Sequence, residues 1–291
     1  MTQKEEMNDF QVGGHTGKFQ LIVKDKIIYK PDRDQEADFY ETASKGKLKE
    51  FLPEYYGRET VDLGQGEIQY FKMQNTISHL KHPSIIDLKM GTRTWSEDCS
   101  AKKLEHKKEV DETTTSLEFG LRFCGMKVYD EKINSFVQYE KSIYREMKSY
   151  ESLKKMMKVF IMSHGNISDK EKIKLSQHLM TIEELERAIK DLKDNEVRNT
   201  KQFIATIDNL IPKLERFKKI YEEEGYQIIS SSIFMFYDRD DPENTIDFKM
   251  IDFAHWKDKD HQYHISDGYL VGVETILRIL KELKSENEIT E

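Results

Sequence analysis

Residues 131–225 are helical in pattern almost throughout, yet strand-prone runs lie on both sides of them, and this restricts the fold more than any other feature of the chain. The expected body is a sheet built from sequence-distant strands and framed by helices. Before the helical stretch come Phe19-Gln20-Leu21-Ile22-Val23 and Lys26-Ile27-Ile28-Tyr29-Lys30, joined by a hairpin turn at Lys24-Asp25 and preceded by a flexible turn at Gly13-Gly14-His15-Thr16-Gly17. Gly66 to Met73, Ser84–Lys89 and Leu121–Val128 follow as strands. After the helical stretch come Tyr226–Tyr237 and Asp247–Phe253, separated by a turn at Asp240-Asp241-Pro242-Glu243-Asn244. Helices are expected over residues 34–50, with Asp34 as N-cap, over Ser100–Glu112, and over Gly272–Leu283, the last amphipathic. Within the long stretch, breaks are expected near Ser163-His164-Gly165-Asn166 and near Pro212, and Thr181-Ile182-Glu183-Glu184 is a capping box that opens a helix. The layout is α+β in two lobes. Residues 1–75 form a small strand-rich lobe with one helix, and residues 76–291 form a larger, helix-rich lobe.

Composition supports this layout and removes several alternatives. Gly and Pro, 14 and 5 of 291 residues, fall well below their usual share of about 12%, as a helix-rich chain requires. The 15 Phe, 14 Tyr, 2 Trp and 12 Met supply material for a large core and argue against general disorder. A membrane-spanning helix needs roughly 18 or more apolar residues in a row, and the longest run here is the short Ile233-Phe234-Met235-Phe236-Tyr237. A net charge of -8 disfavours a general nucleic-acid binder. Two cysteines, Cys99 and Cys124, are too few for a disulfide framework, and Met1–Glu6 has no apolar signal core. The expected setting is reducing, cytoplasmic or nuclear, with no membrane partner and a monomeric chain.

Pro83-Ser84-Ile85-Ile86-Asp87-Leu88-Lys89-Met90-Gly91 is the stretch richest in chemistry. Strand side chains alternate between faces, so Asp87 and Lys89 share one face while Ile86, Leu88 and Met90 enter a core. Gly91 lets the chain turn away or approach a ligand closely. A carboxylate beside an ammonium suits phosphoryl transfer: the lysine stabilises charge on the transferred group, and the aspartate positions or deprotonates a hydroxyl. From spacing alone, the same pattern also fits a surface ion pair on an edge strand. Asp252 follows the apolar strand residues Phe248 and Met250 and precedes a loop, a natural place for a Mg2+ ligand or for a simple turn cap. Lys30 ends a strand, where it suits ATP phosphates with a carboxylate such as Glu41 holding it; it also fits an ordinary solvated lysine.

The run Lys102-Lys103-Leu104-Glu105-His106-Lys107-Lys108 carries a formal charge of +3 within an acidic protein. At helical spacing Lys103, His106 and Lys107 share a face that can grip several phosphates, although charge runs are also ordinary solvated faces. Other signatures fail. Gly13 to Lys18 is followed by Phe19, so it is not a Walker A loop. The cysteines have no metal spacing, and His261 and His264 stand without a supporting ligand pattern.

In order and together, these segments resemble the inositol polyphosphate kinase family, whose P-x-x-x-D-x-K-x-G element is matched in full by Pro83 to Gly91. The family's S-S-L-L element is matched in part by Ser231-Ser232-Ile233-Phe234, and its I-D-F element by Ile251-Asp252-Phe253. The stretch Phe123-Cys124-Gly125-Met126 also looks like the family, and the likeness runs from about Gln11 to Leu283. Within the family the chain looks most like the hexakisphosphate kinases, through Gln11-Val12-Gly13-Gly14-His15, Phe39-Tyr40-Glu41, Leu52-Pro53-Glu54-Tyr55-Tyr56-Gly57, Asp87 to Arg93, and Ser230-Ser231-Ser232.

The resemblance implies a two-lobe, protein-kinase-like (ATP-grasp-like) fold with an inositol-phosphate-binding segment inserted at residues 94–118. It implies that Lys30 contacts ATP phosphates, that Met73, Gln74 and Asn75 form the adenine hinge, and that Asp252 with Ser232 holds Mg2+. Asp87 and Lys89 would then stand at the reacting phosphate, and Lys102, Lys103, His106, Lys107 and His255 would face the inositol phosphate. The implied reaction moves the γ-phosphoryl of MgATP to inositol hexakisphosphate or pentakisphosphate, giving a diphosphoinositol phosphate. Two alternatives stay open: a multikinase or trisphosphate 3-kinase acting on ring hydroxyls, and a non-enzymatic inositol-phosphate-binding module.

Overall fold

The computed structural model describes residues 21–33, 35–62, 66–130, 134–139, 146–162 and 196–288, the last with side chains from residue 201. The expected features at residues 11–17, the start of the first strand at Phe19-Gln20, residues 163–166 and the capping box at Thr181 lie outside the described residues, as does Asp34, and the N-cap of the helix expected there is Gln35, which makes no side-chain cap bond. Two antiparallel sheets organise the chain. The first holds β1 (Ile22–Lys24), β2 (Ile27–Pro31), β3 (Tyr55–Asp62) and β4 (Glu67–Gln74), in the order β1-β2-β4-β3. The second holds β5 (Pro83–Met90), β6 (Leu121–Asp130), β7 (Ser135–Tyr139), β9 (Ser232–Asp238) and β10 (Asp247–Ile251), in the order β10-β9-β5-β6-β7. Strand β8 (Gln227–Ile229) pairs with β11 (His255–Lys257) as a separate ribbon. The second sheet therefore joins strands from both sides of the helical stretch, with β5 at its centre.

Helices cover that sheet. α4 (Tyr150–Met162), buried all round in its last turn, and α5 (Glu196–Glu224) and α7 (Tyr269–Glu288), each burying one stripe, do this; α3 (Ser116–Phe119) and α6 (Pro242–Thr245) are single turns. In α5 the stripe is Ile207, Leu210, Leu214, Phe217 and Tyr221; in α7 it is Val273, Ile276, Leu280 and Leu283. Spacings of three and four are those of one helix face, and they meet Ile86, Leu88 and Met90 of β5 in a common core. At ~1.5–3 kcal/mol for each large apolar side chain fully buried, this packing dominates the stability of the larger lobe. Among the described residues no helix is long and apolar enough to cross a membrane.

Several expectations need correction. The stretch 131–225 is not helical throughout, because β7 lies within it and pairs with β6 through Val128↔Val137 and its neighbours. Ser135-Phe136-Val137-Gln138-Tyr139 is rich in β-branched and aromatic residues, and Val137 and Tyr139 bury one face of it at the sheet edge. Pro212 breaks nothing: α5 runs through it, and the stripe on either side of the proline is buried. A mid-helix proline forfeits one backbone hydrogen bond, a cost of about 3 kcal/mol that this packing offsets. The helix expected over 34–50 is two pieces, α1 (Glu36–Ala43) and a 3-10 turn at Lys47–Phe51. They part at Gly46, where a side chain would stand 2.6 Å from the Glu224 carboxylate that accepts the Lys47 N–H at 2.7 Å. The run Tyr226–Tyr237 divides at Ser230, whose φ of 62° turns the chain.

Aromatic packing ties the first sheet's helix to the second lobe. Phe39 of α1 stacks on Phe253 with ring centroids 4.0 Å apart, and Tyr40 meets Phe253 edge-on at 5.2 Å. The Trp256 indole N–H donates to the Gln35 carbonyl at 2.9 Å. Phe253 directly follows Asp252, so this packing sets where that carboxylate stands.

Candidate active site

Lys30, next to last in β2 of the first sheet, and Asp252, which follows β10 of the second, meet as an ion pair. Lys30 Nζ lies 2.5 Å from Asp252 Oδ1 and 2.8 Å from Glu36 Oε1. Asp252 has a φ of 67°, rare for a residue with a side chain, and it ends the extended run of β10 with Phe253 buried in the core. Burial disfavours the charged Lys30, but Asp252 and then Glu36 outweigh it and hold the ammonium above the usual lysine range. Burial likewise pushes the Asp252 carboxyl up, and Lys30 and Lys89 overturn this, holding it well below the usual carboxylate range.

Glu36, not Glu41, holds Lys30. Five residues along a helix is about 140° around its axis, so the two glutamates of α1 face different ways. Glu41 instead accepts from the Arg58 guanidinium and from the Tyr55 hydroxyl, the latter at 2.7 Å. The sequence carries no signal for this choice without the helix start. At the expected hinge, the N–H of Gln74 donates to the Glu54 carbonyl and that of Asn75 to the Lys26 carbonyl, both at 2.8 Å. Those two donors are occupied by protein. Met73 is buried, and its sulfur accepts the Tyr40 hydroxyl at 3.5 Å.

Asp87 and Lys89 stand on one face of β5, as alternation requires. In register, Lys89 is directly opposite Ser232 of β9 and Arg122 of β6. The Lys89 ammonium donates to the Ser230 carbonyl at 2.9 Å and lies 3.7 Å from Asp252 Oδ2. The Ser-Ser-Ser run thus has distinct parts. Ser230 turns the chain and presents its carbonyl to Lys89, the Ser231 carbonyl accepts the Met90 N–H, and Ser232 faces the site beside Lys89. Asp87 is 6% exposed, and burial pushes its carboxyl up against the pull of Lys89. The register slips between Asp87 and Leu88, so β6 bulges at Cys124 and sets Gly125 opposite Asp87. Gly91 has a φ of 102°, and a side chain there would stand 2.7 Å from the Asp267 carbonyl, which explains glycine at the end of the motif.

Asp87 and Ser232 are buried side by side and act on one another, and beyond that weak mutual contact Asp87 Oδ1 and Ser232 Oγ have no hydrogen-bond partner among the described residues. Buried polar atoms are seldom left this way without a ligand or a functional role. With the Asp252 carboxylate they make an all-oxygen donor set, which fits a hard divalent cation such as Mg2+ or Mn2+. A group of His82, Asp238 and Asp240 also gathers ligand atoms within 4.8 Å. There, however, both Asp238 oxygens already accept backbone N–H groups, from Lys81, His82 and Asp240, so the cluster is accounted for as a turn.

The basic run forms α2 (Ala101–Thr113). Lys102, Lys103 and His106 are exposed on it, whereas Lys107 is half-buried and donates to the Thr94 carbonyl at 2.5 Å. Burial, Lys103 and the nearby Lys89 all push the Lys107 ammonium down, so this side of α2 lies within the field of the strand site. His255 begins β11 opposite Ile229. Lys30, Asp87, Lys89, Ser232 and Asp252 are thus gathered around one point, Lys107 feels the charge of Lys89 but is bonded to the Thr94 carbonyl, and Glu36 is the member that the sequence pattern did not reveal.

A family model described as "Inositol polyphosphate kinase" matches residues 70–205 and 192–281. An inositol hexakisphosphate kinase 3 from Mus musculus is 26% identical over 74% of this chain and 51% of its own length. An inositol polyphosphate multikinase alpha from Arabidopsis thaliana is 24% identical over 94% of both chains. The chain therefore spans about half the length of the hexakisphosphate kinase and nearly all of the multikinase. A crystal structure of an inositol phosphate multikinase from S. cerevisiae, in complex with ADP and Mn2+, superposes with a TM-score of 0.63 at 23% identity, covering 89% of this chain and 99% of that one, and so shares the α+β fold. The family match spans β5 with its Asp87 and Lys89, the basic helix and the loop of Asp252, and on it the chain belongs to the inositol polyphosphate kinase family.

Proposed function

We propose that this protein transfers the γ-phosphoryl group of ATP to an inositol polyphosphate, and that inositol hexakisphosphate is an acceptor. The observation that carries the proposal is the convergence of Lys30 and Lys89 from two strands on Asp252 after a third, with Asp87 and Ser232 adjoining. Lys30 neutralises the ATP phosphates and is held by Glu36. Residues 73–75 border the adenine, with the Gln74 and Asn75 N–H groups already engaged. Asp252 and Ser232 hold Mg2+, which supplies charge neutralisation on the phosphate oxygens when bound. Lys89 stabilises charge on the transferring group. Lys102, Lys103, His106, Lys107 and His255 receive the acceptor's phosphates.

In the reaction the bond from the γ-phosphorus to the bridging oxygen breaks and one to an acceptor oxygen forms. Inositol hexakisphosphate has no free hydroxyl, so its nucleophile is an oxygen of an existing phosphate. That oxygen is already ionised at neutral pH, and alignment with charge neutralisation then carries the catalysis. The test is ATP consumption with inositol hexakisphosphate present. Wild-type protein consumes ATP only with the acceptor, and Asp252→Asn loses about 10²–10³-fold in kcat. Equal turnover by the variant would contradict the role of Asp252.

A multikinase reading is favoured by two observations: the 94% coverage of the Arabidopsis multikinase and the buried Asp87. A carboxyl raised by burial is better matched to accepting a proton from a hydroxyl. Asp87→Asn separates the readings, since it slows a hydroxyl acceptor more than a fully phosphorylated one.

A further inference from the structure

Helix α2 is built unlike the other helices around the second sheet. Its one buried residue is a charged one, Asp111, at 2% exposure; Leu104 and Val110 are only half-buried. Hydrophobic packing therefore does little to hold it in place, and polar contacts do the rest. Asp111 Oδ2 accepts the Thr94 N–H at 2.7 Å, and Oδ1 accepts the Thr94 hydroxyl at 2.8 Å. One turn earlier Lys107 Nζ donates to the Thr94 carbonyl. All three polar groups of Thr94 are thus taken by one helix face, at positions i and i+4. Arg122 Nη1 adds a contact to Asp111 Oδ1 at 3.2 Å, and it also donates to Ser116 Oγ at 2.8 Å.

Thr94 is itself fixed to the strand that carries Asp87 and Lys89. Gly91 ends that strand, the Thr92 N–H donates to the Asp267 carbonyl at 2.9 Å, and the Arg93 guanidinium donates to the carbonyls of Ser266, Trp95 and Ile265. Arg93 and Lys108 both lie over the Trp95 ring, at 4.8 and 4.9 Å. A short, rigid path therefore links Lys89 to Thr94, and Asp111 links Thr94 to the exposed cations of α2.

We infer that Asp111 is a positioning residue: by gripping Thr94 it fixes the register of α2 and so sets where Lys103 and His106 stand relative to Lys89. The inference rests on the reading of α2 as the acceptor-binding helix. It assigns Asp111 no contact with substrate.

The test uses the full chain, with inositol hexakisphosphate as probe, and compares Asp111→Asn, Thr94→Val, Thr94→Ser and Lys103→Ala. Asp111→Asn keeps the side chain's shape but loses the charged bonds, and it raises the acceptor KM by about tenfold while the ATP KM moves by less than about twofold. Thr94→Val removes only the hydroxyl bond and shifts the acceptor KM in the same direction by less. Thr94→Ser restores it. If Asp111→Asn lowers the thermal midpoint but moves both KM values together, or neither, its role is structural and the inference is overturned. If Lys103→Ala raises the acceptor KM and Asp111→Asn does not, only the positioning role falls. If Lys103→Ala has no effect on the acceptor, the underlying assignment of α2 falls, and the inference with it. Calorimetric affinity for the same probe gives the same comparison in a protein without turnover.

Discussion

Asp87 and Lys89 stand on the middle strand of a five-stranded sheet among fully buried apolar neighbours, whereas Lys102, Lys103 and His106 stand on a helix whose single buried side chain is Asp111. The first group has its geometry set by core packing and by interlocked pairs with Lys30, Ser230 and Asp252. The second projects into solvent and is held from behind by a few hydrogen bonds. Under the proposed function the contrast separates two tasks. Phosphoryl transfer needs charges placed within fractions of an ångström, and a sheet core provides that. Recognition of a phosphate-rich ring tolerates a helix surface, where side chains can change without disturbing the core. A net charge of -8 is compatible with this, because the cations that matter are gathered locally.

The sharpest way to break the contrast is to remove one lysine from each group. Lys89→Ala lowers kcat by about 10²–10³-fold, the scale of a lost transition-state charge stabiliser. Lys103→Ala leaves kcat within about twofold and acts on the acceptor KM, by roughly the three- to tenfold expected of one partly solvated ion pair. Steady-state kinetics with both substrates varied checks both, and a kcat effect of Lys103→Ala equal to that of Lys89→Ala would merge the two groups.

Asp87 supplies a second comparison, of activity against stability. Its carboxyl lies above the usual range in the folded protein, because burial disfavours the ion. The stability it contributes is therefore greatest below the unfolded-state value and is lost as pH rises through the folded one. Asp87→Asn removes this cost, so it raises stability at neutral pH while impairing turnover of a hydroxyl acceptor. The gain over wild type shrinks as pH falls through the carboxylate range. Thermal melts of both proteins from acid to neutral pH measure it, and a gain that grows toward acid would have the wrong sign.

The smallest expected effect separates the two glutamates of α1. Glu36→Gln weakens the hold on Lys30 and raises the ATP KM several-fold, about 1 kcal/mol, because glutamine still accepts a hydrogen bond but lacks the charge. Glu41→Gln leaves it within about twofold, because Glu41 serves Arg58 and Tyr55. ATP KM values for the pair decide the matter.

The local patterns of Asp87, Lys89, Gly91 and Asp252 were readable because a strand's two-residue period and a strand end are properties of a few adjacent residues. Glu36 was not, since choosing it over Glu41 requires the helix phase, and the residue expected to cap that helix, Asp34, lies outside the described residues. Strand β3 was missed for another reason. Tyr55-Tyr56-Gly57-Arg58-Glu59-Thr60-Val61-Asp62 lies at the sheet edge with none of its residues fully buried, and Gly57, Arg58, Glu59 and Thr60 leave no apolar alternation to mark it. The role of Asp111 depends on Thr94 and Arg122 meeting in space, which no local pattern contains.

The most direct test of the central claim is to incubate the purified protein with MgATP and a panel of inositol phosphates, and to resolve the products by charge. The account predicts ATP-dependent products with added phosphate, including one more anionic than inositol hexakisphosphate when that compound is supplied. Products from hydroxyl-bearing inositol phosphates alone would move the protein to the multikinase reading. Absence of any phosphorylated product, with ATP unconsumed, would contradict the account.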